Sequence, residues 1–132
     1  MARRLIAANV ILRYLLKDDP DLFAKSAQYL EKVRTGEQEA IILESVLVEC
    51  VYVLLKIYNV ERETITDRLT GLLSYRGIAN SDKKVLFQAL MFFKETRLSM
   101  VDCLLWARAM HEGLEILTFD EALGKRVHKG TS

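Results

Sequence analysis

Proline is almost absent from this chain of 132 residues, which holds only Pro20. No stretch is rich in glycine, serine or proline, so linkers and low-complexity segments are excluded. The six glycines, at 36, 71, 77, 113, 124 and 130, make neither a dinucleotide-binding fingerprint nor a phosphate-cradling P-loop. The two cysteines, Cys50 and Cys103, lie in apolar runs without CxxC spacing, so buried, reduced thiols are expected rather than a disulfide. His111 and His128 lack metal-ligand spacing, no Ser/His/Asp arrangement is present, and both histidines are expected at the surface. A dominant charge is lacking too. With 19 basic and 18 acidic residues the net charge is +1, and a nucleic-acid partner would need a local patch. No apolar run approaches the ~20 residues of a membrane helix. No signal peptide opens the chain, and a cytoplasmic protein without membrane contact is expected.

What is present points to one folded unit. The length suits a single domain over residues 1–132 with a disordered tail at about 128–132. A hydrophobic share of 51% is slightly above the globular norm, which suggests an additional buried surface at a dimer or partner interface. Arg3, Arg4 and Arg13, with Lys125, Arg126 and Lys129, could meet a phosphate backbone; a solvated face accounts for them equally well. Phe87, Phe92, Phe93 and Trp106 suit a core or an interface better than a base-stacking platform.

The opening stretch RRLIAANVILRYLL runs from strand to helix. Leu5 and Ile6 make a short apolar run, and Val10, Ile11, Tyr14 and Leu15 recur at helical spacing. Open α/β sheets place such a strand centrally and put chemistry just past its C-terminal end, here at Ala7, Ala8 and Asn9. Pro20 suits the first turn of a helix that continues to about Arg34 and ends at Gly36. A strand is expected at 40–43, then a helix capped by Ser45. A helix follows over 61–73, an edge strand over 76–79, and a helix from Ser81 to about Glu95. Ser99 and Asp102 have the form of a capping box. That helix stops at Gly113, and Glu115 to Phe119 is the last expected strand before a short helix. The order predicts the α/β class, with a small parallel sheet flanked on both faces by helices.

Three acids stand in unusual places. Glu49 is the only charged residue between Ser45 and Leu55, so it is expected to be buried or to line a cleft. Burying it unpaired would cost roughly several kcal/mol. A distant basic partner, or a helix face that reaches solvent, would account for it otherwise. Asp102 opens an apolar helix, where an acid also simply favours the helix N-terminus. Asp120 follows an apolar strand, where it serves either as an N-cap or as a ligand group. Taken together, three carboxylates without matching bases suit a hard divalent cation, Mg²⁺ or Mn²⁺. Asn9 and Thr118 are candidates for steadying them.

In order and spacing, LIAANVILRYLL, SVLVECVYVLLK, LLSYRGI, SMVDCLLWARAM and ILTFDEAL resemble a PIN-domain protein, and in particular the toxins of VapBC-type toxin–antitoxin pairs. The resemblance implies a metal-dependent endoribonuclease that cleaves RNA, often transfer or ribosomal RNA. It implies that Glu49, Asp102 and Asp120 bind Mg²⁺ or Mn²⁺ and position a water, with Thr118 and Asn9 in support. It also implies a homodimer and a VapB-type antitoxin lying across the groove.

The departures are specific. Ala7 stands where the family carries an aspartate, and Ala122 where some members carry a further acid. An inactive or strongly impaired enzyme is therefore expected, with fold and partner binding kept. A buried Ala7 would add stability by relieving like-charge repulsion. The alanine is either an engineered silencing of a toxic nuclease, which the otherwise intact acids favour, or natural decay. The alternative reading is a non-catalytic PIN-like or receiver-like α/β interaction module. A receiver would need paired acids after the first strand and a late lysine, and Ala7, Ala8 and Asp120 stand in those places.

Overall fold

In a computed structural model, the backbone of residues 2–131 and the side chains of 2–127 are described. The disordered tail expected at 128–132 falls on side chains outside the described residues. Contacts divide the chain into two compact units, Met1–Ser81 and Asp82–Ser132.

The first unit carries a parallel two-stranded sheet. Strand β1 (Arg3–Leu5) pairs with β2 (Glu39–Ile41) in the register Arg3↔Glu39, Arg4↔Ala40, Leu5↔Ile41. Between them lie helices α1 (Ala8–Leu16) and α2 (Pro20–Thr35), the right length for a parallel crossover. Local chemistry sets the ends of α2. The Asp19 carboxylate accepts hydrogen bonds from the N–H groups of Asp21 and Leu22, both at 3.1 Å, and Pro20 fills the first turn. Gly36 closes the helix in the left-handed region at φ 86°. The Tyr29 hydroxyl donates to the Glu39 carbonyl at 2.7 Å and ties α2 to β2. Ile11, Leu30, Val33, Ala40 and Ile42 are fully enclosed between these elements.

Helix α3 (Glu44–Tyr52) follows β2, runs into a π-helical turn at Val53–Ile57, and leads to α4 (Arg62–Leu73). Ser45 does not cap α3, because the helix begins one residue earlier and Leu43 holds the cap position without a side-chain bond. The strand expected over 76–79 is reduced to one bridge, Ala40↔Ile78. Two features hold that segment against β2. A Cβ at Gly77 would overlap the Gln38 carbonyl oxygen, so only glycine permits this close approach. Asn80 then acts as a short piece of strand: its Oδ1 accepts from the Ile42 N–H at 2.9 Å and its Nδ2 donates to the Ile42 carbonyl at 2.7 Å. The first strand is not central as the sequence suggests. Sheet order is β1–β2, with the bridge on β2, so β1 lies at an edge.

The second unit is helical: α5 (Lys83–Glu95), α6 (Met100–Glu112) and α7 (Glu121–Thr131). Its core contains Leu86, Leu90, Phe93, Cys103, Ala107 and Leu123. Phe92 stacks on Trp106 with centroids 3.6 Å apart, the packing role expected of these aromatics. Gly113 ends α6 at φ 67°. The strand expected over Glu115–Phe119 is not formed; residues 114–120 lie outside every helix and strand. A strand requires a hydrogen-bonded neighbour as well as an apolar sequence, and Leu117 and Phe119 are 95% and 99% exposed.

A two-stranded parallel sheet with seven α-helices is the small α/β arrangement the sequence predicts. No helix among the described residues is long and apolar enough to cross a membrane.

Candidate functional site

In the first unit, the predicted site begins where β1 passes into α1. The Ile6 N–H continues the pairing to the Ile41 carbonyl at 3.1 Å. Ala7 then takes the N-cap position at φ −76°, ψ 154°, and its carbonyl accepts from the N–H groups of Val10 and Ile11 at 3.2 and 3.4 Å. Its methyl group caps nothing, and no acid lies in the first turn of α1. Ala7 is exposed rather than buried, as is Asn9, while Ala8 is enclosed. The C-terminal end of a strand and the start of a helix thus meet at a residue without functional chemistry.

A groove of about 690 Å³ runs past this point, bordered by Leu5, Ala7, Asn9 and Leu22 and by the cations Arg4 and Lys25. Another cavity of the same unit, about 550 Å³ beside Tyr14 and Tyr75, holds none of the predicted site residues. The groove near Ala7 is therefore the better candidate, because it combines volume with the strand end. Its basic edge is only partly available. Arg13 is paired with Asp18 at 2.8 Å, and Arg3, further along β1, with Glu39 at 3.0 Å. The Arg4 guanidinium lies 5.0 Å from the centre of the Tyr29 ring, a cation–π placement that leaves its outer edge for an anion. Lys25, Leu22 and Tyr29 were not singled out by sequence; a lone lysine on an amphipathic helix carries no signal of a groove.

Glu49 lies on α3, and the structure corrects the expectation of burial. It is exposed, on a face shared with Tyr52, which is 60% exposed; this is the solvent-reaching helix face of the sequence reading. Its neighbour Cys50 is fully enclosed and free, and burial together with the Glu49 charge pushes the thiol up to about 12.

In the second unit, Asp102 lies in the first turn of α6, partly exposed, where the Ser99 hydroxyl accepts from its N–H at 3.1 Å. Asp120 is exposed and caps α7, its Oδ1 accepting from the Leu123 N–H at 2.8 Å. Thr118 Oγ1 accepts from the Asp120 N–H at 3.0 Å, so Thr118 steadies the backbone of this acid. The cap role of Asp120 leaves its other carboxylate oxygen for a second partner. Lys125 and Arg126 border a separate shallow depression with Glu121; the side chains of His128 and Lys129 lie outside the described residues.

Among the described residues, no group of three or more His, Cys, Asp or Glu side chains is arranged to hold a metal ion. The residues present therefore do not fit a complete divalent-metal centre, and a methyl group stands at the strand end where the resemblance calls for an acid.

No curated protein and no solved structure gives a significant match to the chain. The PIN-domain profile, by contrast, matches residues 5–129, nearly the whole sequence. That span takes in the β1–α1 junction with Ala7 as well as Glu49, Asp102 and Asp120. The chain belongs to the PIN-domain family, whose members are generally nucleases.

Proposed function

We propose that this chain is a VapBC-type toxin, a metal-dependent endoribonuclease silenced at Ala7. Its substrate class is RNA, with transfer or ribosomal RNA as the target, and its partner is a VapB-type antitoxin. It acts as a homodimer in the cytoplasm. Glu49, Asp102 and Asp120 are the proposed ligands of Mg²⁺ or Mn²⁺, with Asn9 and Thr118 in support. Hydroxyl and carboxylate oxygens are the donors such hard cations take.

The observation that carries the reading is Ala7 itself. It is exposed at the end of β1, it holds the cap of α1, and it borders a groove with Arg4 and Lys25 on its edge. A carboxylate there would face a groove suited to a phosphate backbone. Alanine can neither bind a cation nor orient water, and loss of nucleophile placement in metal-assisted hydrolysis costs orders of magnitude in rate. As it stands, the chain has no metal-holding set, so it is proposed to keep its fold and partner binding without turnover.

Restoring the acid tests this directly. The Ala7→Asp protein is expected to cut RNA in the presence of Mg²⁺ or Mn²⁺, at least 100-fold faster than the parent on the scale of lost nucleophile placement. A chelator should abolish the cleavage. A restored protein that cuts no RNA and does not arrest growth on expression would sink the nuclease reading.

A further inference from the structure

Two halves of an unmade strand pair are present in this chain. One is the segment 115–119, Glu-Ile-Leu-Thr-Phe, which belongs to no strand. Its β-branched and aromatic residues favour extended backbone. Leu117 and Phe119, two residues apart and therefore on one side of an extended chain, are 95% and 99% exposed. The other is the free edge of β1. That strand pairs with β2 on one side only, and its Leu5 is 65% exposed along the groove of about 690 Å³. An apolar, unpaired edge is a template for adding another strand.

We propose that residues 115–119 of one copy add as a parallel strand to β1 of a second copy, each chain giving and receiving one strand. Charge supports the match. Glu115 precedes the segment's apolar residues and Asp120 and Glu121 follow them, while Arg4 and Lys25 stand at the rim of the receiving groove. The chain's own architecture makes exchange simple, because the donor segment and the acceptor edge lie in different compact units that divide at Ser81 and Asp82. The sheet is already parallel, so continuing it in that sense brings the C-terminal ends of donor and acceptor together. With Leu117 of one copy beside Leu5 of the other, Phe119 falls beside Ala7 and Asp120 just past it. The second copy would then supply Asp120 and its supporting Thr118 to the end of β1. That consequence rests on the proposed role of Asp120; the strand exchange does not.

Mixing two single variants separates exchange from any closure within one chain. The Leu5→Cys protein is unfolded and refolded together with Leu117→Cys, then oxidised and run without reductant. The native thiols contribute little background, since Cys50 and Cys103 are both buried. A mixed disulfide dimer is the expected result, with the Leu5→Cys/Leu117→Cys double variant also yielding covalent dimer, because neighbouring strands bring Cα atoms within disulfide reach. A disulfide confined to monomers of the double variant, or no disulfide in either experiment, overturns the proposal. Light scattering gives a second measurement: Leu117→Asp/Phe119→Asp should be monomeric where the parent is a dimer, and a dimer that survives both charges also overturns it. None of these readouts uses nuclease activity, so a negative Ala7→Asp cleavage assay would leave them standing.

Discussion

Tyr14 collects more of the first unit than any other polar side chain described. From α1 its hydroxyl reaches Glu31 of α2 at 2.6 Å and Tyr75, beyond α4, at 2.8 Å, while its ring stacks on Phe23 at 6.0 Å. Burial, with the hydrogen bonds to Glu31 and Tyr75, pushes the phenol well above its ordinary value of 10.0. The hydrogen bond from Tyr14, helped by Arg34, holds the Glu31 carboxyl below its ordinary value of 4.5. Tyr14→Phe keeps the ring and deletes the hydroxyl, so it should cost about 1 kcal/mol at neutral pH, at the modest end because Glu31 is solvated. The sign with pH follows from both shifts. The lowered carboxyl contributes stability that is lost as pH falls through and below 4.5, and the raised phenol contributes stability that is lost as pH rises above 10.0. Denaturant unfolding of parent and variant across pH should therefore show a difference that is flat in the middle range and narrows toward acid. A gap that widens on acidification would contradict the Tyr14–Glu31 bond.

At the scale of elements, the ends of helices were legible in the sequence and their surroundings were not. Asp19 with Pro20, Gly36, Ser99 and Gly113 all act where their chemistry places them, because a cap depends on residues one to three positions away. The strand over 115–119 was misread because pairing is non-local: its sequence states a preference, and only a neighbouring edge can satisfy it. Glu49 was misread for a related reason, since an apolar run along the chain does not say which face of α3 meets a core. At Ala7 the strand end was legible, but the exposure was not, and this reverses an energetic expectation. A buried alanine would relieve like-charge repulsion; an exposed one at an N-cap leaves the first N–H groups of α1 without a side-chain acceptor. Ala7→Asp should thus stabilise the metal-free protein by about 1 kcal/mol through capping and the helix dipole. Urea unfolding in chelator reads this directly, and a destabilised variant would mean that charge repulsion outweighs the cap.

For the whole molecule, the apolar surplus read from composition has a visible counterpart. Val101, Leu105, Met110 and Leu114 are each 46% exposed or more, in addition to Leu117 and Phe119. With a net charge of only +1, little electrostatic repulsion opposes association of copies. A chain that covers these residues by strand exchange gains stability by mass action, whereas a monomer does not. Each tenfold rise in concentration contributes about 0.7 kcal/mol per chain of a dimer. Spread over the unfolding entropy typical of this length, that raises the thermal midpoint by about 2–3 °C. Calorimetry from low micromolar to several hundred micromolar protein should show this climb for the parent and a flat midpoint for Leu117→Asp/Phe119→Asp. A flat midpoint in the parent, with light scattering at the monomer mass, would mean that the exposed segment finds no partner in a second copy. The same dilution series bears on activity through the proposed site. If Asp120 works at the end of a neighbouring β1, cleavage by Ala7→Asp should fall more steeply than linearly once the dimer dissociates. Strict proportionality to enzyme concentration through that range would assign the nuclease to a single chain.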